Sequence, residues 1–135
     1  MRTFVLLIVF AVALLTPAGA ADEIAAAQST IRSQTEAIGR NDAAAAYDYA
    51  APAIRALFPR ADVFMSMVRK AYAPIYHHKR FEFGEARVSE GKVTQAVNIV
   101  DDDSVAWAAV YTVEQQPDGS LKISGCVLVK VGNDV

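Results

Sequence analysis

The chain holds one cysteine and two histidines among its 135 residues, and each scarcity removes a class of protein. A single thiol, Cys126, cannot form a disulfide within the chain. Either it is buried and inert or it links two chains, and its place inside an apolar strand favours burial. His77 and His78 are adjacent, so on a strand they point to opposite faces, and no third ligand follows at useful spacing. No metal site and no cofactor is expected. A Gly-rich phosphate loop, a serine-nucleophile motif and a Cys–His pair are all missing. Basic residues are few as well: thirteen Lys and Arg stand against fifteen Asp and Glu. That mild acidic balance argues against nucleic acid or an anionic membrane as partner.

Long hydrophobic runs are also lacking. The longest, Phe4 to Leu15, has twelve residues and is too short to span roughly 30 Å of hydrocarbon. Arg2 precedes it, Thr16-Pro17 breaks it, and Ala18-Gly19-Ala20 follows with small residues where signal peptidase reads. Residues 1–20 therefore read as a signal peptide cleaved near Ala20, which predicts a periplasmic or secreted protein with no stable membrane anchor. Residues 21–135 remain, 115 in number, the size of one domain, with a net charge of −3 once Arg2 is gone.

What is there changes period halfway. Asp22 is expected to cap a helix running to about Ile38, with Ile24, Ile31 and Ile38 on its stripe and Gly39 as a left-handed stop. Asn41 or Asp42 starts a second helix to about Ala50. Pro52 and Pro59 bracket a short turn of helical character, and Asp62 caps a third helix to Tyr72, ended by Pro74. Beyond Ile75 the period is two. Strands are predicted over His77–Val88, Lys92–Val100, Val105–Val113 and Leu121–Val131, with Gly84 marking a bulge. Glu90-Gly91, Asp101-Asp102-Asp103 and Gln116 to Ser120 make the reversals. The predicted fold is α+β: three N-terminal helices packed on one face of a four-stranded antiparallel meander, a half-open cone. Ile31, Phe64, Val68, Trp107 and Ile123 are expected to be buried together. On strict alternation Val127, Val129 and Val131 join Ile123 on the covered face. Val110, Cys126 and Leu128 then form an apolar patch on the open face, suited to a weak homodimer.

Three segments carry a resemblance: AIGRNDAAAAYDYAAPAIRALFP, FMSMVRKAYAPIY and WAAVYTVEQQPDGSLKISGC. Together they resemble a bacterial exported family, domain of unknown function 4864, from about Ile31 to Cys126. That family is similar in fold to the nuclear-transport-factor-2-like (cystatin-like) superfamily, which implies the same helix-then-meander cone. It carries Trp after Asp-Gly-Ser, where this chain has Leu121. The resemblance implies architecture and no catalytic residues.

Two functions follow from the residues. The first is a non-catalytic module that binds a small apolar ligand in the cone or a protein partner on the sheet. The ligand residues would be Gln34, Tyr47, Tyr72, Gln95, Trp107 and Tyr111, because binding pockets are mostly apolar with a few convergent polar groups. Gln34 stands out, since a stripe of isoleucines has no packing reason to hold an amide. The alternative is a small isomerase- or dehydratase-like enzyme using His77 or an inward Asp, such as Asp42 or Asp48, as acid or base. Asp101 to Asp103 lack the spacing of a calcium loop and read as a turn.

Overall fold

The computed structural model describes residues 19–132, so the expected signal segment lies outside the described residues except for Gly19 and Ala20. Five helices precede four strands: α1 (Ala20–Gly39), α2 (Ala43–Asp48), α3 (Pro52–Leu57), α4 (Ala61–Ala71), α5 (Ala73–Tyr76), β1 (His78–Ser89), β2 (Lys92–Asp101), β3 (Ala106–Gln115) and β4 (Leu121–Lys130). The expectation of three helices is corrected by the two short ones, each of which has proline in its first turn. There the missing N–H costs no hydrogen bond, so Pro74 ends one helix and opens the next.

Helix ends differ from expectation for local reasons. Gly19, not Asp22, is the N-cap of α1, and Asp22 and Glu23 lie in the first turn, where the helix dipole favours acid. Arg60, not Asp62, is the N-cap of α4, and the Asp62 carboxylate pairs with its guanidinium. Gly39 is still helical. The left-handed residue is Asn41, at φ 59°, whose side-chain oxygen accepts from Arg69 at 2.9 Å and Tyr76 at 2.7 Å. Those bonds hold an asparagine where glycine would have sufficed. Asp42 does cap α2, accepting from the Ala45 amide at 3.1 Å.

The strands form one antiparallel sheet in the order β1-β2-β3-β4, with every neighbour adjacent in sequence. Glu90 (φ 44°) and Gly91 (φ 78°) make the first hairpin turn. Two slips in register decide which residues face the helices. At Gly84-Glu85, β1 bulges, and Phe81, Phe83, Ala86 and Val88 all turn toward β2's buried row of Val93, Gln95, Val97 and Ile99. At Ser124, β4 bulges: Val113 pairs with Ile123 but Thr112 pairs with Gly125.

The second bulge overturns the strict alternation. Ile123 is buried, yet Val127, Val129 and Val131 are 64%, 54% and 53% exposed, while Cys126 and Leu128 pack against the core. The apolar row of the open face is thus Val110, Val127, Val129 and Val131 rather than Val110, Cys126 and Leu128.

The core joins Ile31 and Ile38 of α1, Phe64, Met65 and Val68 of α4, and Val97, Ile99, Tyr111, Val113 and Ile123 of the sheet. Trp107 is only half-buried at its margin, a correction to its expected place at the centre. Its indole N–H donates to Asp101 at 2.9 Å, and the same carboxylate accepts the amides of Asp103 and Val105, so the tryptophan belongs to the β2–β3 turn. One parallel bridge lies outside the sheet, where Ala50 meets the free edge of β4: Ile123 N–H donates to Tyr49 O at 2.7 Å and Ala51 N–H to Ile123 O at 2.8 Å.

Candidate functional site

A cavity of about 320 Å³ opens between the helical layer and β4. Its walls are Gln34 and Ile38 of α1, Ile54 and Leu57 of α3, Phe64 and Met67 of α4, and the β4 segment from Ile123 to Cys126, with Tyr72 and Tyr111 completing it. The Ser124 bulge is what presents Cys126 here, because it inverts the facing of every residue after Ile123. At the rim Leu57 is 74% exposed. The short α3 is held over the opening by its neighbours. Arg55 donates to Ala50 O at 3.1 Å and Tyr47 O at 3.0 Å, and Tyr47 O–H donates to Phe58 O at 2.6 Å.

The six ligand residues predicted from sequence separate into two groups. Gln34, Tyr72 and Tyr111 meet at the cavity. Tyr47, Gln95 and Trp107 do not. Tyr47 latches Phe58 and lies under the Arg55 guanidinium, 4.7 Å from its ring centre. Gln95, fully buried, clips the β1 bulge: its amide hydrogens serve the carbonyls of Gly84, Glu85 and Ala96 at 3.1, 3.3 and 2.7 Å, and its oxygen accepts from Gln28 at 3.0 Å. Trp107 lines a shallower cleft with His77, Lys70 and the Asp101–Asp103 turn. Sequence reading missed Ile54, Leu57, Phe64 and Met67 as lining residues. The α4 stripe was legible as apolar, but nothing in it distinguished a wall from a core.

Three groups in the cavity can titrate, and burial moves all of them the same way. It pushes the Cys126 thiol up to about 12 and holds the Tyr111 hydroxyl well above its ordinary range, with the neighbouring thiol adding to the effect. Tyr72 is raised for the same reasons and donates its hydrogen to Cys126 O at 3.0 Å. All three stay neutral across the physiological range. Among the described residues no carboxylate, imidazole, ammonium or guanidinium lines the cavity. His78 turns Nδ1 to Ile75 O at 3.1 Å, and Asp48 is 77% exposed at its side chain. Among the described residues no group of three or more His, Cys, Asp or Glu is placed to hold a metal ion.

Two polar atoms are left over. The Tyr111 ring lines the cavity, but its hydroxyl is sealed beneath the wall beside Thr35 and Cys126, without a hydrogen bond of full geometry to either. A sealed hydroxyl without a partner is costly, so Tyr111→Phe should raise stability by about 1 kcal/mol. Urea denaturation checks this, and a loss of stability would mean the hydroxyl is bonded after all. The second atom is Gln34 Oε1. Gln34 is 5% exposed and its Nε2 donates to Ala46 O at 3.2 Å, so the amide nitrogen must face that carbonyl and the oxygen must face away. Oε1 has no partner among the described residues, and it is not sealed.

These features define an α+β domain in which an open antiparallel sheet, covered on one face by helices, holds a neutral apolar cavity. The chain belongs to the family described as Domain of unknown function (DUF4864), which matches residues 20–134. No curated protein and no solved structure gives a significant match. Among the described residues no helix is long and apolar enough to cross a membrane.

Proposed function

We propose that this is a non-catalytic exported domain that binds a small apolar ligand in the cavity between α3, α4 and β4, within a nuclear-transport-factor-2-like cone. The observation that carries the reading is the cavity itself. It is a cleft of about 320 Å³, open to solvent on one side and lined mostly by apolar side chains with a few polar groups, which is the make-up of small-molecule sites. Its lining suits a ligand better than water, because apolar walls give water too few partners. The isomerase- or dehydratase-like alternative is less well supported, since among the described residues no carboxylate or imidazole lines the cavity to act as base.

Native mass spectrometry of the protein purified from periplasm tests the proposal. A retained small molecule is expected in the unaltered chain and none in Met67→Trp, which fills the cavity from α4. A bare chain mass in both proteins would refute it.

The row of Val110, Val127, Val129 and Val131 supports a second reading, self-association through the open sheet face. An uncharged patch of valines with Ala106 and Ala108 between them, at the β3–β4 side of a face whose other residues include charged pairs, is best matched by a copy of itself. Sedimentation equilibrium should show a weak dimer that Val127→Lys abolishes, and a monomer at millimolar concentration would overturn this reading.

A further inference from the structure

The ligand-binding reading can be carried to the ligand's chemistry, and the inference rests on that reading. We infer that the ligand is a neutral one- or two-ring molecule with a single hydroxyl, which donates its hydrogen to Gln34 Oε1.

Gln34 carries the argument because its bond to Ala46 O, which ties α1 to α2, accounts for its nitrogen and not for its oxygen. Ala46 O already accepts the Tyr49 amide at 3.3 Å, so the bond from Gln34 Nε2 rescues no orphaned carbonyl. Leucine would pack among Ile31 and Ile38 without placing a polar group in apolar surroundings. What glutamine adds is an acceptor facing the cavity, nearly enclosed and unpartnered among the described residues. Acceptors this deeply placed are satisfied in folded proteins by protein groups, water or ligand, and an occupant that displaces water from an apolar cavity has to supply the lost hydrogen itself. Other hydroxyls do not supply it. Tyr72 O–H is committed to Cys126 O, Ser124 O–H is turned to Thr112 O at 3.4 Å, and Tyr111 O–H is sealed beneath the wall.

Neutrality follows from the walls. A carboxylate or an amine would be buried with no opposite charge beside it, and a buried unpaired ion is strongly disfavoured. The cation of α3, Arg55, does not line the cavity; it donates to Ala50 O and Tyr47 O and lies over the Tyr47 ring. Size follows from volume: 320 Å³ is about twice the roughly 150 Å³ of an engineered cavity that binds benzene. Phe64 and Met67 offer ring and thioether surfaces that favour an aromatic or alicyclic occupant.

The test uses three probes of matched shape: 2-naphthol, 2-methylnaphthalene and 2-naphthoate. Each is titrated against the full domain at neutral pH while the Met67 methyl resonance is followed by NMR. The alcohol should bind about tenfold more tightly than the hydrocarbon, the worth of one buried hydrogen bond, and the carboxylate should not shift the methyl at all. In Gln34→Leu the alcohol should fall to the level of the hydrocarbon, whose own affinity should be unchanged. Equal binding of 2-naphthol and 2-methylnaphthalene to the unaltered protein would overturn the inference while the cavity remains a binding site, and so would tighter binding of 2-naphthoate. Failure of all three probes would take down the ligand-binding reading as well.

Discussion

Replacing Gln95 with Leu should destabilise the protein by about 3 kcal/mol, although leucine is apolar, similar in size and placed in a fully buried site. The reason is the bulge in β1. The register slip between Phe83 and Ala86 takes Gly84 and Glu85 out of the regular ladder, and their carbonyls accept from the Gln95 amide instead. Removing that amide strands the part-buried acceptors of the bulge and the Gln28 donor together. An unpaired buried group costs roughly 1–3 kcal/mol, and more than one is exposed to that penalty here. Gln28→Ala, which removes only one outer member of the network, should cost under about 1 kcal/mol. Urea midpoints of the two variants decide it. A Gln95→Leu protein within about 1 kcal/mol of the original would mean that water replaces the amide and that the clip has no structural weight.

Ile31→Ala should cost about 3–4 kcal/mol for a different reason. Ile31 is fully buried where α1 crosses the sheet, so truncation loses transfer energy and leaves a hole that rigid strands cannot collapse to fill. The contrast is with Met67→Ala on the cavity wall. That side chain is half-buried and already borders empty space, so its loss should cost only about 1 kcal/mol. A thermal or chemical denaturation series on both variants tests the division of the molecule into packed core and open wall. Equal losses would show that the cavity is filled by the protein itself.

Gln34 and Gln95 show how far the sequence could be read. Both are amides at apolar positions, and both suggested a polar-lined cavity. One opens onto it; the other holds a bulge whose carbonyls lie ten and eleven residues away along the chain. No local pattern separates the two cases, because Gln95's partner exists only once β1 has slipped register. The same limit applies to β4. Its alternation was legible, and so was the meander, with four strands in their expected order. But Ser124 takes up one extra residue and inverts the valines that follow. The α+β order, the cap at Asp42, the turn at Glu90-Gly91 and the apolar stripes of α1 and α4 are local consequences of composition and period. Tyr47 and Trp107 lie away from the cavity because their hydroxyl and indole serve chain segments, Phe58 and the Asp101 turn, whose position depends on tertiary packing.

The seam between the Ala50 segment and β4 sets an order of events in time. Every strand pairing joins neighbours along the chain, whereas the helical layer reaches β4 across 54 residues at Tyr72 and Cys126 and across 74 at Asp48 and Lys122. Closing loops of that length is entropically dearer than zipping hairpins, so these contacts form after the meander. What closes last opens most readily, and this seam is also one wall of the cavity. Traffic through that wall would then be governed by a local unfolding equilibrium rather than by a dedicated hinge. Amide hydrogen exchange at Ala51 and Ile123 should therefore outpace exchange at Val97 and Ala109 in the sheet interior, and equal protection at all four would count against that order.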